Sequence, residues 1–85
     1  MFKVELLGTG GECNLLASEV LRASQFVGIP VKLVRVEQPE QIAARGVATT
    51  PALIIDGAIR CQGVLPTQAE LTSWLTTAAL KYETA

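Results

Sequence analysis

The sequence predicts an α/β fold with a four-stranded mixed sheet flanked by helices, in the order β-α-β-α-β-β-α. Three observations support this prediction. The first half alternates strand and helix patterns, which is typical of parallel strands joined by a helical crossover. In the second half, an Asp-Gly dipeptide between two apolar segments indicates an antiparallel hairpin. An amphipathic helix with a capping signature follows it.

The 85 residues are predicted to form one domain, 1–85.

The first elements form a predicted βαβ unit. A β-compatible segment, Phe2–Leu7, precedes a glycine-rich turn, and a helix is expected from about Glu12 to Val27. Gly28 suits the left-handed end of this helix, and Val31–Val36 is the second predicted strand. The apolar stripe of the helix is predicted to consist of Leu16, Val20, Ala23 and Val27, widened by Leu15 and Phe26.

The middle of the chain is predicted as a short helix followed by a hairpin. Pro39 suits a first helical turn, and Gly46 ends that helix. The strands Ala52–Ile55 and Ala58–Cys61 flank Asp56-Gly57, a dipeptide that accepts the positive φ angles of a type I′ turn. Regular pairing across this turn makes Leu53 face Arg60 and makes Ala52 face Cys61.

The last predicted helix begins with a capping box. Thr67 and Glu70 have the required spacing, and the apolar positions that follow are Leu71, Trp74, Leu75 and Ala78. This helix is expected to end near Lys81, with 83–85 frayed.

Composition excludes several functions. The basic residues are scattered singly and the formal net charge is −1, so nucleic acid is not an expected partner. The absence of histidine excludes Ser-His-Asp and Cys-His nucleophiles and histidine-ligated metals. No apolar run approaches the roughly 18 residues of a membrane helix, so we expect a cytoplasmic protein without membrane contact. Cys13 and Cys61 are too few for a zinc site, and we expect no metal and no cofactor.

Two segments of the chain resemble the thioredoxin-like superfamily, and within it the small thioredoxin- and glutaredoxin-like redox-active disulfide proteins. The first is VELLGTG, followed by a turn and helix that contain a cysteine. The second is GVATTPALIIDGAIRCQG, whose Thr-Pro before a strand and Asp-Gly hairpin are similar to the family's cis-proline loop and final hairpin. The resemblance spans nearly the whole chain and implies a thiol-disulfide redox protein.

The active-site motif departs from that family. Its members carry Cys-x-x-Cys after the Gly-Thr-Gly turn, where this chain has Gly10-Gly11-Glu12-Cys13. Alignment on the apolar stripe of the helix, which we prefer, makes Cys13 the second cysteine and puts Gly10 in the place of the first. An ungapped alignment instead puts Gly11 and Asn14 at the two cysteine positions. Neither alignment recovers a dithiol.

Cys13 is the candidate catalytic residue, in the active-site loop with Gly10, Gly11 and Glu12. A thiol in the first turn of a helix lies near unpaired N–H groups that favour the thiolate, whereas Glu12 disfavours the anion. Cysteine is also a common small buried residue, and this second interpretation of Cys13 stays open.

Three further residues are candidates at the same site. In the resembled family the backbone of the residue before the cis-proline pairs with an extended substrate, which implies that Thr50 and Pro51 bind substrate. Cys61 is a candidate resolving thiol, or simply an apolar strand residue. The expected partner is a protein or a low-molecular-weight thiol or disulfide.

Two other functions compete with single-thiol chemistry at Cys13. The chain could be a binding or assembly module that keeps the scaffold without the dithiol, in which case Cys13→Ser is silent. A shared iron-sulfur cluster, which resembles the single-cysteine glutaredoxins, is disfavoured because their cysteine occupies the first position of the motif.

Overall fold

The computed structural model describes residues 2–84, and the side chains of residues 3–80. Within that range the elements follow the predicted order and confirm the predicted α/β fold. The helix at the end of the chain is longer than predicted, because it continues through 83–84, where fraying was expected. The elements are β1 (Phe2–Leu7), α1 (Gly11–Val27), β2 (Val31–Val36), α2 (Pro39–Ala44), β3 (Ala52–Ile55), β4 (Ala58–Gln62) and α3 (Gln68–Thr84).

The four strands form one mixed sheet in the order β2-β1-β3-β4. The β1 and β2 strands are parallel, and the other two pairs are antiparallel. One face of the sheet packs against α1 and α3, and Ile42 of α2 packs against the apolar cluster of the opposite face. The larger cluster, between the sheet and the two long helices, comprises Val4, Leu6, Cys13, Leu16, Val20, Ala23, Leu53, Ile55, Leu71, Leu75 and Ala78.

The hairpin of β3 and β4 contains an irregularity that regular pairing does not predict. The turn Asp56-Gly57 has φ angles of 51° and 85°, as a type I′ turn requires. A β-bulge then leaves Arg60 without a partner, and Cys61 faces Leu53. The predicted facing of Cys61 with Ala52, and of Arg60 with Leu53, is therefore wrong. Because side chains alternate along a strand, the one extra residue moves Cys61 to the face covered by α1 and α3.

The buried stripe of α1 is narrower than predicted. Leu16, Val20 and Ala23 are fully buried, but Leu15 is 49% exposed and Phe26 is 82% exposed. The prediction that these last two widen the stripe is wrong, because the sheet and α3 cover one side of α1 and leave the rest to solvent. None of the described helices is long and apolar enough to span a membrane.

Candidate functional site

Cys13 lies in the first turn of α1, at the carboxyl end of β1. It is the third residue of the helix, it is fully buried, and it packs within the larger core cluster. Gly10 is the N-cap residue, with no side-chain hydrogen bond to cap the helix, and its carbonyl accepts the Asn14 N–H at 3.2 Å. The first amides of a helix have no acceptor within it, so they create positive potential beside the Cys13 thiol.

The loop before α1 lies against the segment that precedes Pro51. The Gly8 N–H donates to the Val36 carbonyl at 2.9 Å, which ties this loop to the end of β2. Gly8 has a φ of +124°, and a Cβ atom added there would lie 3.0 Å from the Cβ of Thr50. Only glycine combines this backbone conformation with so close an approach. The loop before α1 and Thr50 therefore lie in close contact through Gly8.

The segment around Pro51 is also tied to the end of β4. The Thr50-Pro51 peptide bond is cis, and the Pro51 carbonyl accepts the Gly63 N–H at 2.8 Å. The side-chain oxygen of Gln62, the last residue of β4, accepts the Ala48 N–H at 2.9 Å. Thr50 is exposed and Pro51 is buried. Three segments of the chain thus meet at one end of the sheet, and Thr50 is open to a ligand there.

Cys61 is the second thiol near this end of the sheet. It is half-buried on β4, it packs against the larger core cluster that includes Cys13, and both thiols are free. Burial raises the pKa of the Cys61 thiol, a hydrogen bond with the backbone of Leu53 opposes that rise, and the Glu70 carboxylate adds to it. Burial and the Glu70 carboxylate at the start of α3 therefore favour the protonated form of Cys61.

The predicted site residues differ in their exposure to solvent. Gly10, Gly11 and Glu12 are exposed, whereas Cys13 beneath them is fully buried. The prediction that Gly11 and Glu12 belong to a loop is wrong, because α1 begins at Gly11, and it is Gly8 in the loop before α1 that approaches Thr50. The structure leaves Cys61 on the same face of the sheet as Cys13, without a bond between them. Among the residues that the structure describes, no three cysteine, aspartate or glutamate side chains form a group suited to a metal ion.

A cleft beside the active-site loop was not predicted from the sequence. We call it the Glu37 cleft. It has a volume of about 380 Å³, and its lining includes Thr9, Glu37, Ile42, Val47 and Thr50. No local sequence pattern identifies it, because its walls come from two stretches of the chain, 8–9 and 37–50, that only the fold brings together.

Comparison with known proteins identifies the family. The family model described as a thioredoxin domain matches residues 2–76. A thioredoxin from Methanothermobacter thermautotrophicus is 26% identical to the chain over 72 residues, which cover 84% of this chain and 94% of that protein. The likeness therefore extends over nearly the whole of both chains and supports a thiol redox protein in general.

Proposed function

Since the chain belongs to the thioredoxin domain family, we propose that it is a thiol-disulfide redox protein that acts through the single thiol of Cys13. The observation that supports this most directly is the place of Cys13 in the first turn of α1, behind a loop that contacts Thr50. In this proposal Gly10 occupies the position of the family's first cysteine. The chemistry needs a compartment that keeps Cys13 reduced, and we assign the protein to the cytoplasm.

The proposed reaction begins with attack by the Cys13 thiolate on one sulfur of a partner's disulfide. A new S–S bond forms between Cys13 and that sulfur, and the partner's S–S bond breaks. The other partner sulfur leaves with the electron pair as a thiolate and takes up a proton. A second thiol then attacks the Cys13 sulfur, which releases the partner's remaining sulfur as a thiol. This second thiol is Cys61 or an external low-molecular-weight thiol, and it is oxidised together with Cys13.

The buried Cys13 thiol becomes accessible when the first turn of α1 opens. Gly11 weakens this turn, since glycine is a poor helix former, and Gly10 before it adds no side-chain cap. A Cβ atom added at Gly10 or Gly11 would meet nothing within 4 Å, so a partner's sulfur has room to approach across both residues. Local opening of this kind requires far less free energy than unfolding of the whole protein.

Thr50 is proposed to hold the partner's chain during the reaction. It is exposed beside the active-site loop, so an extended segment can pair with its backbone. Val64 and Leu65 follow Gly63, which bonds to Pro51, and they are 62% and 41% exposed. These apolar side chains add a surface for docking next to Thr50.

A non-catalytic binding module is the second candidate function. The full burial of Cys13 favours it, because a thiol with no exposed surface behaves as a small apolar core residue. In this case the surface around Thr50 binds a partner without any exchange of sulfur bonds.

The two functions separate in one experiment. The native protein is incubated with glutathione disulfide at neutral pH, and peptide mass spectrometry identifies which cysteine acquires glutathione. The redox proposal predicts modification of Cys13, either as a glutathione adduct or, where Cys61 resolves that adduct, as a Cys13–Cys61 disulfide. Cys13→Ala abolishes both products, and Cys61→Ser retains the adduct. Alanine is preferred to serine at the buried position, because it leaves no unsatisfied hydroxyl. A native protein that forms neither a glutathione adduct at Cys13 nor a Cys13–Cys61 disulfide, or that forms an adduct at Cys61 alone, supports the binding module.

A further inference from the structure

The Glu37 cleft has the size and lining of a site for one side chain. Ligand sites in proteins have volumes of about 300 to 1,000 Å³, and this cleft is near the lower limit at about 380 Å³. We propose that it binds a lysine or arginine side chain of an extended polypeptide partner. This inference rests on the proposed function, because it specifies which partners the thiol site selects.

Part of the cleft lining is apolar. Val47 is buried and Ile42 is half-buried, and both belong to the apolar cluster on the α2 side of the sheet or pack against it. Pro39, Ala43 and Ala48 complete this lining. The aliphatic part of a lysine or arginine side chain would therefore displace water from an apolar surface, which is favourable.

Glu37 is the charged residue among those that line the cleft, and it is exposed. Glu37 makes no ion pair or side-chain hydrogen bond with the residues that the structure describes. The Glu37 carboxylate is thus available to a ligand. A lysine or arginine side chain combines an aliphatic stem with a terminal cation, and it matches the apolar lining and the carboxylate together. An acidic side chain is repelled at the same place.

The position of the cleft favours a polypeptide over a free cation. Gly8 and Thr50 line the cleft, and the same two residues form the contact at which the partner's chain is proposed to pair. Neighbouring residues of an extended chain are about 3.3 Å apart along the strand, so a residue close to the paired one can place its side chain in the cleft.

Fluorescence polarisation with cysteine-free peptides tests the inference. Each labelled peptide has a lysine at one position of an otherwise fixed extended sequence, and matched peptides have alanine or glutamate there. At low salt we expect one position at which lysine binds about threefold tighter than alanine, and glutamate more weakly than alanine. Added salt should reduce this preference.

The variant Glu37→Lys should reverse the ranking, so that the glutamate peptide binds best. Glu40→Lys is the matched control, because Glu40 is exposed on α2, does not line the cleft, and makes the same charge change. It should keep the wild-type ranking. An unchanged ranking in Glu37→Lys, the absence of peptide binding, or equal competition by free lysine or spermidine would overturn the inference.

The outcome is independent of the reactivity of Cys13. The peptides contain no cysteine, so their ranking reports only on the cleft. The glutathione disulfide experiment reports only on the thiol. A lysine preference without modification of Cys13 would support the cleft and contradict the redox function, and the reverse result would contradict the cleft alone.

Discussion

The first turns of α1 and α3 differ in the hydrogen bonds that cap them. The α3 start has a reciprocal capping box, in which the Glu70 carboxylate accepts the Thr67 N–H at 3.0 Å and the Thr67 hydroxyl accepts the Glu70 N–H at 3.1 Å. The α1 start has Gly10 as N-cap, without a side-chain hydrogen bond. Each start lies near a cysteine, Cys61 at α3 and Cys13 at α1. The start of α3 therefore has side-chain cap hydrogen bonds that the start of α1 lacks.

This difference has a chemical consequence for the two thiols. At α3 the same Glu70 that completes the capping box also helps to raise the pKa of Cys61, in addition to the larger effect of burial. At α1 the proposed function requires the first turn, which has no side-chain cap, to open and expose the buried Cys13. We therefore expect thiol chemistry at neutral pH to occur at the α1 start, although Cys61 is the more exposed residue in the static structure.

The largest expected effect on stability comes from the loop before α1, where Gly8 contacts Thr50. Gly8→Ala adds a Cβ atom 3.0 Å from the Thr50 Cβ in a backbone conformation that alanine rarely adopts. It should lower the free energy of unfolding by about 1 to 3 kcal/mol, as measured by urea denaturation. Gly46→Ala is the control, because Gly46 also has a positive φ but has open space around it. Equal losses in both variants would contradict the importance of the contact.

Removal of the α3 cap should have the next largest effect. Thr67→Ala loses the hydroxyl that accepts the Glu70 N–H, and it should lower the free energy of unfolding by about 1 kcal/mol. The control is Thr77→Ala on the exposed side of the same helix, where alanine improves helix propensity. If Thr67→Ala were no less stable than Thr77→Ala, the two helix starts would not differ as described.

A stronger first turn of α1 should slow the reaction of Cys13. Gly11 lies inside α1 with open space around it, so Gly11→Ala should stabilise that turn by about 0.5 to 1 kcal/mol. We expect alkylation of Cys13 in the native protein to slow by about two- to fivefold, with Cys61 unaffected. Ser18→Ala, on an exposed position further along α1, tests whether general helix stabilisation has the same effect. A similar slowing in this control would rule out local opening of the first turn.

The smallest expected effect concerns Glu70 and Cys61. Glutamine keeps the hydrogen-bonding side chain of a capping box but removes the charge. Glu70→Gln should therefore lower the pKa of Cys61 slightly, because burial is the larger cause of its rise. A lower pKa increases the thiolate fraction at a given pH, so alkylation of Cys61 at mildly alkaline pH should be faster. Glu40→Gln, on α2, should leave that rate unchanged. A slower rate in Glu70→Gln would contradict the assigned direction.

Local patterns in the sequence predicted most of the fold. Strand β1, the Asp56-Gly57 turn and the Thr67–Glu70 capping box each depend on a few adjacent residues, and the structure has all three. The cross-strand partner of Cys61 was predicted wrongly, since Cys61 faces Leu53 and not Ala52. One bulged residue, Arg60, reverses the alternation of the strand, and nothing in the local pattern signals an extra residue there.

The candidate site was less predictable than the fold. The positions of Cys13 and Thr50 at one end of the sheet follow from the order of the elements, but the full burial of Cys13 depends on packing by distant residues. Gly8 was interpreted as a turn glycine, and its close approach to Thr50 emerges only when the two loops meet. Glu37 had no recognisable motif at all, because the cleft it lines is assembled from separated segments.

Residue-resolved alkylation of the native protein across pH tests the central claim most directly. Peptide mass spectrometry gives the rates at Cys13 and Cys61 separately in the same sample. We predict that Cys13 reacts faster than Cys61 at neutral pH, and that the Cys61 rate rises only in the alkaline range, because its pKa is raised. Faster labelling of Cys61 at neutral pH, with Cys13 protected until the whole protein unfolds, would contradict thiol chemistry at the α1 start.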